Sequence, residues 1–261
     1  ISLVGVQLTL VRTKNGSLRL GLDRDAADND VLERIREAIE HAKGGASTLS
    51  SFAVRHARLA FYDQLTGAFI VSPDANFDLS TGDTPQAKAS PYLEATINSS
   101  VEISGSPAHL TAVVKLPKNT GPITGDMSFT GLSLRALGQN AKTFNFLVPL
   151  DLKADVTGHF VLEHGTFLKY ADLGIGSSGA FYGLGSPLRI RSLKVVGRYD
   201  GVTGRLLVDD ASLEGDHARE HMTGNGDLVF NANNTLEKAT LNLTADKFSI
   251  NMPGVVSRAL S

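Results

Sequence analysis

Apolar and polar residues alternate along most of the chain, with the period of two that puts every second side chain on one face of a strand. Val4, Val6, Leu8 and Leu10 alternate with Gly5, Gln7 and Thr9. Asn15-Gly16 is a tight-turn signal, and Leu18, Leu20 and Leu22 resume the pattern after it. The rhythm returns in Leu93, Ala95 and Ile97, in Leu110, Ala112, Val114 and Leu116, and in Leu150, Leu152, Ala154 and Val156. It recurs in Ala239, Leu241, Leu243 and Ala245. The intervening turns are rich in Gly, Asn, Asp and Pro, and the spacing predicts about fifteen strands. The predicted fold is mainly β: one long, curled antiparallel sheet forming an open, taco-like apolar groove, the whole of 1–261 being one segment of a larger protein.

One stretch departs from the rhythm. From Asp30 to Lys43, apolar residues stand at Val31, Leu32, Ile35, Ala38 and Ile39, the spacing of an amphipathic helix. Asp30 with Glu33 makes a capping box in which Asp replaces Ser or Thr, and Gly44-Gly45 ends the helix. A helix over about 30–43 is expected near the N-terminal end, packed on the sheet or laid across its end as a plug.

The chain also echoes itself. Residues 62–71 (Tyr-Asp-Gln-Leu-Thr-Gly-Ala-Phe-Ile-Val) align without gaps with residues 199–208 (Tyr-Asp-Gly-Val-Thr-Gly-Arg-Leu-Leu-Val), an offset of 199 − 62 = 137. Five of the ten positions are identical and three more exchange apolar for apolar. An Asp that accepts local backbone N–H groups and a Gly free to take φ > 0 mark a hairpin turn. A repeated hairpin module near 52–79 and 193–214 is the favoured reading, with two turns of independent origin as its rival.

Composition narrows the function. With 42% hydrophobic and 20% charged residues, the chain belongs with folded proteins. The 25 Lys+Arg against 27 Asp+Glu give a formal charge of −2 and form no basic run, which speaks against a nucleic-acid partner. There is no cysteine, so neither a disulfide framework nor a thiolate metal site is available; this fits the bacterial periplasm, and cytosolic proteins can lack cysteine too. No stretch approaches the roughly 18 apolar residues of a membrane span. No signal peptide opens the chain, and a first residue already in strand-like sequence suggests an excised piece whose anchor lies outside it.

Two strings look chemical. His217-Ala218-Arg219-Glu220-His221 matches the H-x-x-E-H of one zinc-peptidase class, which requires a helix to bring both His to one metal. Gly215, Gly224 and Gly226 surround it, and in an extended chain the two His stand about 13 Å apart. Gly174-Ile175-Gly176-Ser177-Ser178-Gly179 matches the dinucleotide string G-x-G-x-x-G, but no helix start follows to receive a pyrophosphate. Neither string predicts a metal or a cofactor. Other carboxylates (Asp63, Asp74, Asp83, Asp200, Asp209, Asp210) are dispersed at turns, and the chain is expected not to be an enzyme.

The run Leu49 to Leu79, with Arg55-His56-Ala57-Arg58-Leu59-Ala60-Phe61-Tyr62-Asp63, then Thr66-Gly67, then Phe69-Ile70-Val71, resembles the AsmA-like superfamily. Pro149 to Leu152, Leu162 to Gly165, Tyr199-Asp200 and Leu213 to Gly215 resemble its YhdP-like branch. Asn251-Met252-Pro253-Gly254 is only loosely similar to the family's aromatic-Pro element. The resemblance implies a protein of the Gram-negative periplasm, tethered to the inner membrane by a helix outside this chain. It implies a long β-groove carrying phospholipid towards the outer membrane in envelope maintenance, with no catalytic residues.

The expected lining of such a groove is Val4, Val6, Leu8, Leu10, Leu18, Leu20, Phe52, Val54, Leu59, Phe61, Leu93, Ile97, Leu110 and Val114. Strands Phe69–Val71 and Leu193–Val195 contribute as well. The expected function is to bind or conduct phospholipid acyl chains. Its rivals are a scaffold of the same fold with a self-filled core, and a β-rich enzyme.

Overall fold

The computed structural model describes residues 2–14, 18–20, 51–64, 66–82, 92–117, 121–163, 167–182, 187–216, 218–230 and 236–250. The expected helix at 30–43 and the Asn15-Gly16 turn lie outside these residues. Fourteen strands form one sheet: β1 Ser2–Val4, β2 Gln7–Arg12, β3 Leu18–Leu20, β4 Ser51–Asp63, β5 Phe69–Gly82, β6 Tyr92–Ile103 and β7 Ser106–Pro117. The second half holds β8 Ile123–Ser133, β9 Leu150–Glu163, β10 Phe167–Phe181, β11 Leu188–Asp200, β12 Arg205–Gly215, β13 Ala218–Phe230 and β14 Leu236–Ile250. From β4 to β14 each strand pairs with its sequence neighbours, so the sheet grows as a simple meander. It is curled and unclosed, with β14 at one end and β3 at the other.

The pairing is not uniformly antiparallel. β1 and β2 both run parallel to β4, a pairing that needs a long crossover; β2 ends at Arg12 and β4 begins at Ser51. Ser2 opposite Ala53 and Gln7 opposite Arg58 keep one offset of 51, so β1 and β2 are one strand interrupted at Gly5. Its partner is kinked at the same level, where Gly5 takes φ 70° and His56 φ 49°.

An open twisted sheet of more than about ten strands has to curl or flatten. The devices that curl this one are β-bulges, which bend a strand and increase its twist. At three of the bulges two buried residues three apart share a face: Val54 and Ala57, Ser72 and Ala75, Val208 and Ala211.

The echoed segments form two hairpins that match position for position, with Tyr62 opposite Phe69 and Tyr199 opposite Leu206. In each turn a Thr hydroxyl donates to the Asp carboxylate, Thr66 to Asp63 at 2.7 Å and Thr203 to Asp200 at 2.9 Å. Gly67 and Gly204 close the turns at φ 74° and 70°, a region costly for any residue with a Cβ. Their faces are reversed. Asp63 is buried beside Arg12 while Tyr62 is exposed; Tyr199 is buried while Asp200 is exposed.

A short helix that the alternation did not predict, α1 Leu134–Asn140, interrupts the β8–β9 connection and is followed by a 3-10 turn over Lys142–Leu147. Ser133 caps it by accepting the Ala136 N–H at 3.2 Å. Ala136 packs with Ile103 and Leu132, against which Ile70, Phe129, Leu137 and Val156 also lie. Asn140 accepts the Phe69 N–H at 2.7 Å and donates to its carbonyl at 2.6 Å, fastening the helix to the start of β5. No helix among the described residues is long and apolar enough to cross a membrane.

A Cβ on Gly138 would lie 2.8 Å from the Val148 nitrogen and 2.9 Å from the Phe144 carbonyl oxygen. Both are backbone atoms of the following turn, which cannot swing aside. Gly138→Ala is therefore expected to lower stability by about 1–3 kcal/mol. Urea unfolding should show a lower midpoint at an unchanged slope.

Candidate functional site

Directly opposed residues on neighbouring strands share a face, so the register can be followed across the sheet as rows. One row runs Val54, Phe77, Ile97, Ala112, Met127, Gly158, Leu173, Gly197, Val208, Gly224 and Leu243. Two residues along each strand, a second row runs Phe52, Leu79, Ala95, Val114, Gly125, Phe160, Ala171, Tyr199, Leu206, Gly226 and Leu241. A third, on the other side, joins Leu110, Phe129, Val156, Ile175 and Val195. Every member of the first two rows is apolar or glycine.

The apolar face is partly exposed. Ala112, Gly197 and Val208 are buried, Ile97, Met127 and Leu173 are half-buried, and Leu241 and Leu243 at the β14 end are 53% and 47% exposed. Several glycines are roofed by their neighbours: the Phe160 ring lies over Gly125, while Leu173 and Met127 flank Gly158. Large side chains thus lie down on the sheet where a glycine leaves room.

The structure brings most of the expected lining to this face. Phe52, Val54, Ile97, Leu110 and Val114 stand in the rows, and Leu93 packs in a cluster with Leu79 and Ala95. Val6 and Leu59 pack against Val54, Ala57 and Ala75. Phe61 is opposite Ile70, with Leu8 and Leu10 in register with Leu59 and Phe61. Phe52 and Val54 share a face with Leu59 and Phe61, despite their different parity, because the His56 kink shifts the phase. Val4 stands apart: it is in register with Arg55 and is 69% exposed, beyond the Gly5 interruption. Leu20 and Leu18 are in register with Leu10 and Arg12. Phe77, Met127, Phe160, Leu173 and Tyr199 were not anticipated. The signal for Met127 and Leu173 is present as Ile123-x-Gly125-x-Met127-x-Phe129 and Ala171-x-Leu173-x-Ile175, with glycine standing at 125 where the pattern calls for an apolar residue.

The residues between the rows project to the opposite face, which is mostly polar, with Val113, Val196 and Leu207 among its apolar members. A trough of about 790 Å³ crosses it from β6 to β12, lined among others by Thr96, Asn98, Thr111, Ser128, Thr157 and Asp172. His159 Nδ1 lies 2.9 Å from Asp126. Arg198 grips Asp209 through two hydrogen bonds of 2.8 and 2.6 Å, which hold that carboxyl below its ordinary pKa. The Tyr170 hydroxyl donates to Asp172, which with desolvation raises the phenol. Near the β4 end Arg55 similarly lowers Asp78, its Nη1 donating to that carboxylate at 2.6 Å.

Neither chemical-looking string keeps the geometry its chemistry needs. Residues 218–221 are extended in β13, with His221 Nε2 2.7 Å from Asp210; His217 lies outside the described residues. Gly174 to Gly179 run inside β10, with a bulge between Ser177 and Gly179, rather than in a turn before a helix. Among the described residues no three His, Asp or Glu side chains converge as a metal site.

Replacing Arg198 removes the cation that favours ionised Asp209, so Arg198→Gln should raise that carboxyl towards its ordinary value. Because the folded pKa is lowered, the stability Asp209 contributes is complete above the usual carboxylate range and lost as pH falls through it. NMR titration of the Asp209 carboxyl should show the rise, and acid unfolding of the variant should depend less on this group. A comparison with protein-family models, curated proteins and solved structures finds no match to this chain.

Proposed function

We propose that the chain holds phospholipid acyl chains along the apolar face of its curled sheet, as a non-catalytic segment of a lipid-conducting protein of the Gram-negative periplasm. The observation that carries this reading is the pair of unbroken apolar rows, one through Val54 and one through Phe52, across eleven successive strands from β4 to β14, on a face left partly exposed. At a strand spacing of about 4.8 Å such a row extends for roughly 50 Å. Each buried acyl methylene contributes about 0.8 kcal/mol, so a dozen of them gain on the order of 10 kcal/mol before ordering costs. Headgroups can stay in water along an open edge, so the reading needs no specific polar pocket. The resemblance of residues 49–79 to the AsmA-like superfamily points the same way, and it is the basis for the periplasmic location and for an anchor in the inner membrane.

A second reading has its own support. Phe160 over Gly125, and Met127 with Leu173 around Gly158, fill part of the face with the protein's own side chains, as a scaffold would. Native mass spectrometry and uptake of a fluorescent phospholipid separate the two. The carrier reading expects co-purified phospholipid and saturable uptake. Leu173→Gln, in mid-row, should weaken uptake by about tenfold, or ~1.4 kcal/mol. Val113→Gln, on the opposite face, should leave uptake unchanged, with circular dichroism confirming that both variants fold. Bare protein that takes up no lipid sinks the carrier reading and leaves the scaffold.

A further inference from the structure

We infer that β14 is a self-complementary edge, by which two copies of this chain join their sheets. Among the described residues β14 pairs with β13 alone, so along its other side it presents main-chain donors and acceptors suited to strand addition. Sheet edges are commonly blunted by charged residues, by proline, by bulges or by being short. β14 is 15 residues long and contains neither Pro nor Gly, and its charges (Glu237, Lys238, Asp246 and Lys247) stand towards its ends, leaving 239–245 uncharged.

Its sequence reads nearly the same in both directions about Asn242. Set antiparallel against itself with Asn242 on the dyad, the strand places Leu241 opposite Leu243, Thr240 opposite Thr244 and Ala239 opposite Ala245. Continuing outward, Lys238 meets Asp246 and Glu237 meets Lys247, so each opposed charge pair is of opposite sign and occurs twice. Such a twofold contact is isologous, and it closes at two copies instead of forming a filament. The run Lys238 to Ala245 keeps one register with β13, with shifts only beyond its ends. The central pairs therefore fall on regular strand.

The faces agree as well. Leu241 and Leu243 are in register with Gly226 and Gly224, at the ends of the two apolar rows, and both are exposed. A dyad normal to the sheet at Asn242 keeps the apolar face on one side, so the Leu243 row of one copy runs on into the Leu241 row of the other.

The absence of cysteine from the chain makes the register testable by a single substitution. Opposed Cα atoms on antiparallel strands lie about 4.5–5.5 Å apart, within disulfide reach. Asn242→Cys should form a disulfide-linked dimer under mild oxidation, whereas Asn225→Cys, in register with it on β13, should not. The unmodified protein should sediment at twice the 27.7 kDa of one chain. Lys238→Asp should shift it to monomer, and Lys238→Asp with Asp246→Lys should restore the dimer. A monomer at tens of micromolar, or equal cross-linking at 225 and 242, overturns the inference. So does a monomer whose β14 amides are fully protected from exchange, for then another part of the chain covers the edge.

Discussion

The architecture depends on register. In a meander of antiparallel strands, one residue of slip moves a strand's whole apolar set to the other face. Here the pairing sets Ile97 against Ala112, Ala112 against Met127 and Met127 against Gly158, so alternation within each strand adds up to continuous apolar rows across the sheet. No strand owns the face. A row survives only as long as each neighbour keeps phase, and the chain keeps phase even where its strands are irregular: the bulges that place Val54 with Ala57, and Val208 with Ala211, add a residue without losing the face.

Glycine has a second part in the same design. A sheet this long has to curl or flatten, and its side chains must pack over one another on each face. Gly125 opposite Phe160, and Gly158 between Met127 and Leu173, alternate small with large along a row, so the large side chains lie over their neighbours. The rows remain apolar while the bulk is spread unevenly. The same arrangement sets the balance between a face that fills itself and one that admits a ligand, since each side chain lying over a glycine covers apolar wall that an acyl chain would otherwise touch.

How much of this was legible in the sequence follows from which signals are local. Alternation is local, so a mainly β chain and a single curled sheet could be read directly, as could which residues between Phe52 and Val114 share a face. The hairpin at 199–208 was readable because its Asp-x-x-Thr-Gly turn carries its own chemistry. The orientation of the first hairpin was not: the same residues in 62–71 face the other way, because the kink at His56 lies several residues upstream. Helix α1 was hidden because it is one short turn after the next, specified by Ser133 as cap and by Asn140 reaching Phe69, 71 positions away in sequence. The parallel pairing of β2 with β4 was equally hidden, since it depends on where a long connection returns. On the C-terminal half the rows were legible only in part, at Val156, Val195, Leu241 and Leu243, because glycine at 158, 197, 224 and 226 does not register as apolar.

A site built of rows differs from a site built of residues. In an active site a few groups must converge, and their identity carries the function; on this face Val, Leu, Ile or Phe could exchange at many positions without breaking a row. Sequence similarity can therefore fade while the physical property persists. The constraint that does not relax is continuity. A charged residue projecting into a row, or a bulge lost from one strand, would break the apolar path for every strand beyond it, whatever the rest of the chain retained. On the carrier reading, phase and polarity matter more than the identity of any one residue, and β7 to β11 are where all three rows run side by side.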